Sequence, residues 1–487
     1  MNPLWTLVPP LAVIPFILLF GEKRKNLREG AIIIAGLALL LINNQIYNVV
    51  VAGGTPQSGE LHLLANFSLK LSAEPMGVVF GLLASFLWVV TTVYSIGYMR
   101  GHHEINQTRF YTCFALAIAT VMVAAYADNL LTLFVAYELI TISTFPLVTH
   151  AGGEAARKAG RLYLCILMGT SIAFFLPAVI WTATAAGTLN FVPGGVLGDA
   201  GIGKVGMAAL LALFVFGIAK AGIMPFHRWL PAAMVAPTPV SALLHAVAVV
   251  KTGVFSLLKI VTYTFGIDTV TATGAAQWLL PVAAFTVIAS SIVAFTKDNL
   301  KARLAYSTIS QLAYIIMAAL LATVMSISGG VLHIVMHAFG KITLFFCAGA
   351  ILVALHKSEI SKLDGIGWRM PITMGAFFVG AVSIIGLPPA GGVWSKLLIA
   401  GGSLDSGTAI WAGVLMLSTL LNIAYLLPIP LRAFLRPDPT LAPGERATLQ
   451  EAPFACLWAI VLTSLTCLLL FLYPKPLTEL IGMIQWR

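Results

Sequence analysis

The chain has 487 residues, 59% hydrophobic and only 9% charged, with a mean hydropathy of +0.95. Soluble domains carry about 25% charged residues, so the composition excludes a soluble globular protein and implies a polytopic membrane protein in a lipid bilayer. The formal charge of +10 does not point to nucleic acid, because the bases lie in short loops between apolar spans, as the positive-inside bias requires.

Fourteen apolar stretches of roughly helix-spanning length begin near Leu4, Ala31, Met76, Phe110, Leu130, Leu162, Val205, Pro239, Gln277, Leu304, Gly329, Pro371, Ile410 and Pro453. The expected fold is all-α and integral to the membrane, one domain over 1–487 with about fourteen transmembrane helices. Spans one to three fill 1–109. No base precedes the first span, and Lys23, Arg24 and Lys25 follow it. It therefore reads as a retained helix with its N-terminus outside, not a cleaved signal. In that orientation nineteen Lys and Arg fall on the cytoplasmic loops. Four fall outside (Lys70, Lys204, Lys475, Arg487) and five inside spans (Lys220, Lys251, Lys259, Lys341, Lys396). This bias predicts a multi-pass protein of the inner (plasma) membrane with both termini periplasmic or extracellular.

Spans four to eight (110–265) and nine to thirteen (275–435) overlay as two units of five, with span fourteen at 453–474. Five is odd, so the second unit is expected upside down, an inverted repeat. The fourth span of each unit is expected to be broken. The seventh carries Lys220, Gly222 and Pro225; the twelfth carries Gly386-Leu387-Pro388-Pro389, Gly391-Gly392 and Lys396. Pro and Gly interrupt the helix there, and non-helical backbone at membrane depth needs protein or a water-filled cavity around it. A plain proline kink beside a snorkelling lysine is the competing account.

Glu138 is the one acid far from any span end. One such charge at the bilayer centre costs about 2.5–3.5 kcal/mol on insertion scales, so Glu138, Lys220, Lys251, Lys341 and Lys396 together cost about 12–17 kcal/mol if unpartnered. Intramembrane ionisable groups usually mark an ion or proton path. Glu138 and Lys220, two spans apart, are expected to titrate as a coupled pair if their helices touch, the alternative being a static ion pair. In the eleventh span His333, His337 and Lys341 recur every four residues and share one stripe, which suits a proton relay. Two His at that spacing can also hold zinc, but neither an HExxH Glu nor a Cys is nearby, so no metal is expected. Lys251 is placed to take a proton from Lys220 through water, with His245 a further relay candidate on another face of the eighth span. Lys259 is expected to snorkel. His227 and Arg228 are placed at the cytoplasmic mouth. The five cysteines form no CxxC and read as small core residues; no cofactor is expected.

Lys220 opens a run through Pro225-Phe226-His227-Arg228-Trp229-Leu230-Pro231 and Pro237-Thr238-Pro239-Val240-Ser241-Ala242 to His245. With Leu304-Ala305-Tyr306-Ser307-Thr308-Ile309-Ser310-Gln311 and His337-Ala338-Phe339-Gly340-Lys341, it resembles the signature of the proton-translocating antiporter-like subunits. These are shared by respiratory complex I, membrane-bound hydrogenases and Mrp cation/proton antiporters. The resemblance covers spans three to thirteen. It implies that Glu138 and Lys220 form a charge pair, that Lys251, His333, His337 and Lys341 form a central polar axis, and that Lys396 is a terminal lysine near the exit. Ser418 to Ile429 and Trp394-Ser395-Lys396 are most similar to the D-type subunit of Mrp monovalent cation/proton antiporters. Gly340 departs from many relatives and is expected to loosen the helix beside Lys341.

The function so implied is the proton-translocating subunit of a multisubunit Na+/H+ antiporter, working beside other membrane subunits and not an enzyme by itself. The alternatives are a proton-pumping subunit of a redox complex (NADH-quinone oxidoreductase-like, or a hydrogenase or formate hydrogenlyase relative) and a proton-coupled module for inorganic carbon uptake.

Overall fold

The structure, a computed structural model, describes residues 2–64, 67–243, 248–439 and 447–486. With no water in the bilayer core to hydrogen-bond backbone groups, an apolar chain must satisfy them internally, and helices do so within one segment. The longer helices are α1 (Pro3–Phe20), α2 (Lys25–Val51), α3 (Pro75–Gly101), α4 (Gln107–Ala125), α5 (Leu130–Val148), α6 (Gly153–Ala186), α7 (Lys204–Gly217), α8 (Val249–Phe265), α9 (Leu279–Thr296), α10 (Leu300–Leu321), α11 (Val324–Leu355), α12 (Pro371–Ile385), α13 (Gly392–Asp405), α14 (Ile410–Leu435) and α15 (Phe454–Leu472).

Among the described residues eleven helices are long and apolar enough to cross a membrane, or twelve if α8 and the bent-off Ile267–Thr273 make one span. Fourteen spans were expected. The seventh and twelfth hold the shorter apolar helices α7 and α12, because backbone breaks cut them. One small departure from an all-helical chain is a hairpin of β1 (Leu61–Leu64) and β2 (Phe67–Leu69), with Leu61 opposite Leu69.

Helix starts are set by polar caps. Glu74 caps α3, Asn129 caps α5 and Asn299 caps α10, and Thr323 with Ser326 forms a capping box on α11. The core is α3, α10 and α11: 94% of the α10 span is buried, against 33% for α1, α2 and α15. Gly340 does not loosen α11, which runs unbroken for 32 residues. A Cβ there would lie 2.8 Å from Ile384 Cδ1, so the glycine serves close packing against α12. Of the cysteines, Cys347, Cys456 and Cys467 are buried as expected, while Cys113 is half-buried and Cys165 exposed.

The loop after α11 is tied to α14. Arg432 Nε and Nη2 donate to the two Asp364 oxygens at 2.7 and 3.0 Å, and Arg436 Nη1 adds a bond of 3.2 Å. Arg432, helped by Arg436, holds the Asp364 carboxyl below its ordinary range against the opposing effect of burial. A depressed carboxylate contributes stability that is present above its unfolded pKa and lost as pH falls through the folded one. Asp364→Asn should therefore lower the melting temperature of the detergent-solubilised protein at neutral pH. The gap to wild type should shrink as pH falls below the ordinary aspartate range and through the depressed folded value, where the wild-type carboxylate is itself protonated.

Candidate functional site

The first lysine is presented by the break that follows α7. The helix stops at Gly217, Ala219–Ala221 make a single 3-10 turn, and Gly222 takes φ +75°, open to glycine at no steric cost. Trp229 Nε1 donates to Ala219 O at 3.0 Å, satisfying one carbonyl of the turn. Lys220 is fully buried. Its ammonium donates to Tyr137 O at 2.7 Å and Thr141 Oγ1 at 2.6 Å and lies 3.1 Å from the centre of the Tyr137 ring. Its backbone N–H donates to Tyr137 Oη at 3.1 Å.

Glu138 makes no direct ion pair with Lys220. Both its oxygens are buried without a hydrogen-bond partner among the described residues, although its charge lies within electrostatic reach of Lys220. Helix geometry gives the reason. Successive residues are about 100° apart around α5, so Tyr137 faces the turn while Glu138 sits beside the outward-facing Leu139 and Ile142 (43% and 54% exposed).

α8 packs straight onto the Lys220 turn. A Cβ on Gly253 would lie 2.4 Å from Ala221 N and 2.5 Å from Lys220 C, so only glycine allows this approach. Two residues earlier, buried Lys251 hydrogen-bonds His337 Nδ1 on α11. The bond needs one donor and one acceptor, so a single proton serves the pair: an ammonium giving to neutral imidazole, or an imidazolium giving to a neutral amine.

The His333 and His337 rings stack 5.8 Å apart at 27°. His333 Nδ1 lies 2.8 Å from Ser395 Oγ, which also bonds Gly392 O at 3.1 Å; His333 Nε2 is buried with no hydrogen-bond partner among the described residues. The Tyr314 ring lies 5.8 Å from that of His333, and Lys396 Nζ lies 4.8 Å from the Tyr314 ring. Lys396 is half-buried and reaches back across the second break, donating to Ile385 O at 2.9 Å and meeting Thr419 Oγ1 at 3.4 Å.

Lys341 leaves the histidine file. Its ammonium donates to Ser307 Oγ at 2.6 Å and Leu304 O at 3.3 Å on α10, and Ser307 accepts from Tyr425 Oη at 3.0 Å. Spacing of four puts His333, His337 and Lys341 on one stripe, but the long lysine side chain turns toward α10. The structure thus sets Lys251, His337 and His333 in a row, with Lys396 on the far side of the Tyr314 ring. Lys220 sits behind it through backbone contact, and Lys341 branches away. His245 lies outside the described residues. Sequence reasoning missed Tyr137, Thr141, Tyr314, Ser307 and Ser395. Tyr137 and Ser395 adjoin candidate residues in sequence, but only tertiary packing shows which way they face.

The family described as NADH:quinone oxidoreductase/Mrp antiporter, transmembrane, matches residues 127–422. The chain belongs to that family. It is 30% identical over 463 residues to the NADH-quinone oxidoreductase subunit N of Desulforudis audaxviator, covering 93% of this chain and 89% of the relative. It is 28% identical to subunit L of Mycobacterium tuberculosis over 431 residues, 86% of this chain but 64% of that longer protein. The relative named NAD(P)H-quinone oxidoreductase subunit 5 of Paulinella chromatophora is spanned to 61% of its length. In fold, a chain of the Mrp complex from Dietzia sp. DQ12-45-1b matches with a TM-score of 0.85 at 20% identity, covering 99% of this chain and 96% of that one. A chain of an archaeal membrane-bound sulfane sulfur reductase matches with a TM-score of 0.84 at 22% identity and the same coverages. The protein is therefore an antiporter-like membrane subunit of the kind found in Mrp and complex I-type assemblies.

The close approach at Gly253 yields a stability test. Gly253→Val should destabilise the protein by about 1–3 kcal/mol or more through overpacking, read as a lower melting temperature or lost assembly. Unchanged melting would mean that the α8 contact with the Lys220 turn is not tight.

Proposed function

We propose that this subunit carries protons through a multisubunit monovalent cation (Na+)/H+ antiporter, along a midplane relay of Glu138, Lys220, Lys251, His337, His333 and Lys396, with Lys341 as a side store. The observation that carries the reading is the buried Lys251–His337 hydrogen bond in line with the His333 ring and Lys396. A proton moves from the Lys251 ammonium to His337, along the ring stack through intervening water, and on to Lys396. Glu138 biases Lys220 without trapping it, because Lys220 is solvated by a carbonyl, a hydroxyl and a ring and not by a direct carboxylate contact.

The inverted repeat gains support from a likeness between the two breaks. In each, a lysine beside interrupted helix binds a carbonyl and a threonine hydroxyl and lies over a tyrosine ring. That tyrosine comes from the second helix of its unit: Tyr137 for Lys220 and Tyr314 for Lys396. Sodium is proposed to pass elsewhere in the complex, since hard cations want several oxygen ligands and Glu138 is the one mid-span acid. The loop charge bias supports placement in the plasma membrane with both termini outside. A second reading, a proton-pumping subunit of a redox complex, is favoured by the NADH-quinone oxidoreductase names of the sequence relatives. Purification from native membranes separates the two: small hydrophobic Mrp-type subunits support the first, and Fe–S subunits support the second.

Both readings share one outcome. Glu138→Gln or Lys220→Ala should abolish proton-coupled transport in an assembled complex reconstituted into vesicles. Full activity in either variant would refute the relay.

A further inference from the structure

Lys259 follows Lys251 by eight residues on α8, about 12 Å along the helix axis. Its sequence position suggested snorkelling, but the structure buries it (1% exposed) against Glu74 Oε1 at 3.1 Å. Glu74 also accepts from the backbone N–H of Met76 at 2.8 Å and of Gly77 at 2.9 Å, and from Tyr263 Oη at 3.2 Å. A carboxylate has about four lone-pair sites, and all four are used. Glu74 thus caps α3 and at the same time holds α8 to it.

This clamp forms the floor of a cavity of about 280 Å³ on the side of the molecule that carries the β-hairpin. Glu74, Lys259, Tyr263, Asp128, Gln57 and Ser72 are among its walls. Phe255 lies one turn from both Lys259 and Lys251 on the same stripe of α8. It is fully buried and packs on Phe80 of α3, itself 1% exposed, with ring centres 4.9 Å apart. Lys259 Nζ lies 5.6 Å from the Phe255 ring. Along α8 this buried aromatic pair therefore lies between Lys259, at the cavity, and Lys251, which bonds His337.

We propose that Phe80 and Phe255 form a hydrophobic gate between this cavity and the relay, held shut by the Glu74–Lys259–Tyr263 clamp. The proposal rests on the relay reading of Lys251 and His337. A constriction lined by apolar rings excludes water, and without a water chain no proton passes. The two rings sit on the two helices that the clamp joins, so a shift of α8 against α3 parts them. Water then reaches Lys251, whose ammonium gives one proton to the water chain and becomes a neutral amine, and one proton leaves at the cavity. Glu74 and Lys259 are positioning residues, not carriers.

The test uses the assembled complex in proteoliposomes, with an internal pH dye reading passive proton leak. Phe255→Ala should raise the leak several-fold over wild type, and adding Lys251→Met should return it to background. Glu74→Gln should give a smaller leak with the same dependence on Lys251. An assembled Phe255→Ala complex without extra leak, or a leak that survives Lys251→Met, overturns the gate. The relay is judged separately: Lys251→Met alone must abolish coupled transport, and retained coupling there would sink the relay whatever the gate does. Should Phe255→Ala fail to assemble, thiol labelling with a membrane-impermeant reagent decides in the otherwise native complex. Gln57→Cys, on the cavity wall, should react, while Thr252→Cys, beside Lys251 and behind the rings, should not. Equal labelling at both positions would overturn the gate.

Discussion

An ammonium group inside a bilayer must be solvated by the protein itself, and this requirement shapes most of what is particular to the fold. Placing a lysine at the membrane centre costs about 2.5–3.5 kcal/mol, whereas a hydrogen bond to a charged group returns about 1.5–3 kcal/mol. Two good acceptors therefore offset one buried lysine. Lys220 has Tyr137 O and Thr141 Oγ1, Lys341 has Ser307 Oγ and Leu304 O, and Lys396 has Ile385 O and Thr419 Oγ1. Part of this supply comes from broken helix. Ile385 is the last residue of α12, where the chain turns at Gly386 and leaves its carbonyl free for Lys396.

The nature of the partner separates lysines that can change charge from those that cannot. Lys259 faces a carboxylate. Its deprotonation would leave Glu74 as a buried anion without its cation, and breaking one side of such a pair is strongly unfavourable. Lys220, Lys341 and Lys396 face dipoles and rings, and Lys251 faces an imidazole. Loss of a proton there strands no opposite charge at hydrogen-bond distance. The contacts thus divide the buried lysines into one that fixes helix position and four that suit proton traffic, a division that burial alone does not make.

Much of this was legible in the amino-acid sequence, for identifiable reasons. Uninterrupted apolar runs gave the membrane spans, and Gly-Pro clusters beside Lys220 and Lys396 gave the two interrupted helices. What was not legible depends on which way a side chain turns once helices pack. Tyr137 and Glu138 are neighbours in sequence but point about 100° apart, so the acid, conspicuous in composition, is not the group that touches Lys220. Lys259 read as a snorkelling lysine because its partner Glu74 is 185 residues away in sequence. Gly340 read as a weak point in a helix, since a glycine used for close packing and one used for flexibility look alike until the neighbouring helix is placed.

The two breaks also differ in a way that bears on direction. On α5 the tyrosine under the first lysine is followed by Glu138; on α10 the tyrosine beside the second lysine is followed by Ile315. Lys220 therefore has a carboxyl group within electrostatic reach as well as dipoles, whereas Lys396 meets a carbonyl, a hydroxyl and a ring. Attraction between opposite charges grows in low dielectric, so an ionised Glu138 favours positive charge on Lys220, an attraction that Ile315 cannot offer Lys396. Glu138 adjoins the outward face of α5, where Leu139 and Ile142 are exposed, while its own carboxyl oxygens are buried. A charged or polar group that a neighbouring subunit set against that face would act on the carboxyl at short range, and so on how tightly Lys220 keeps its proton. The acid thus lies close to a face that an adjoining protein can reach, and Lys220 is placed to respond.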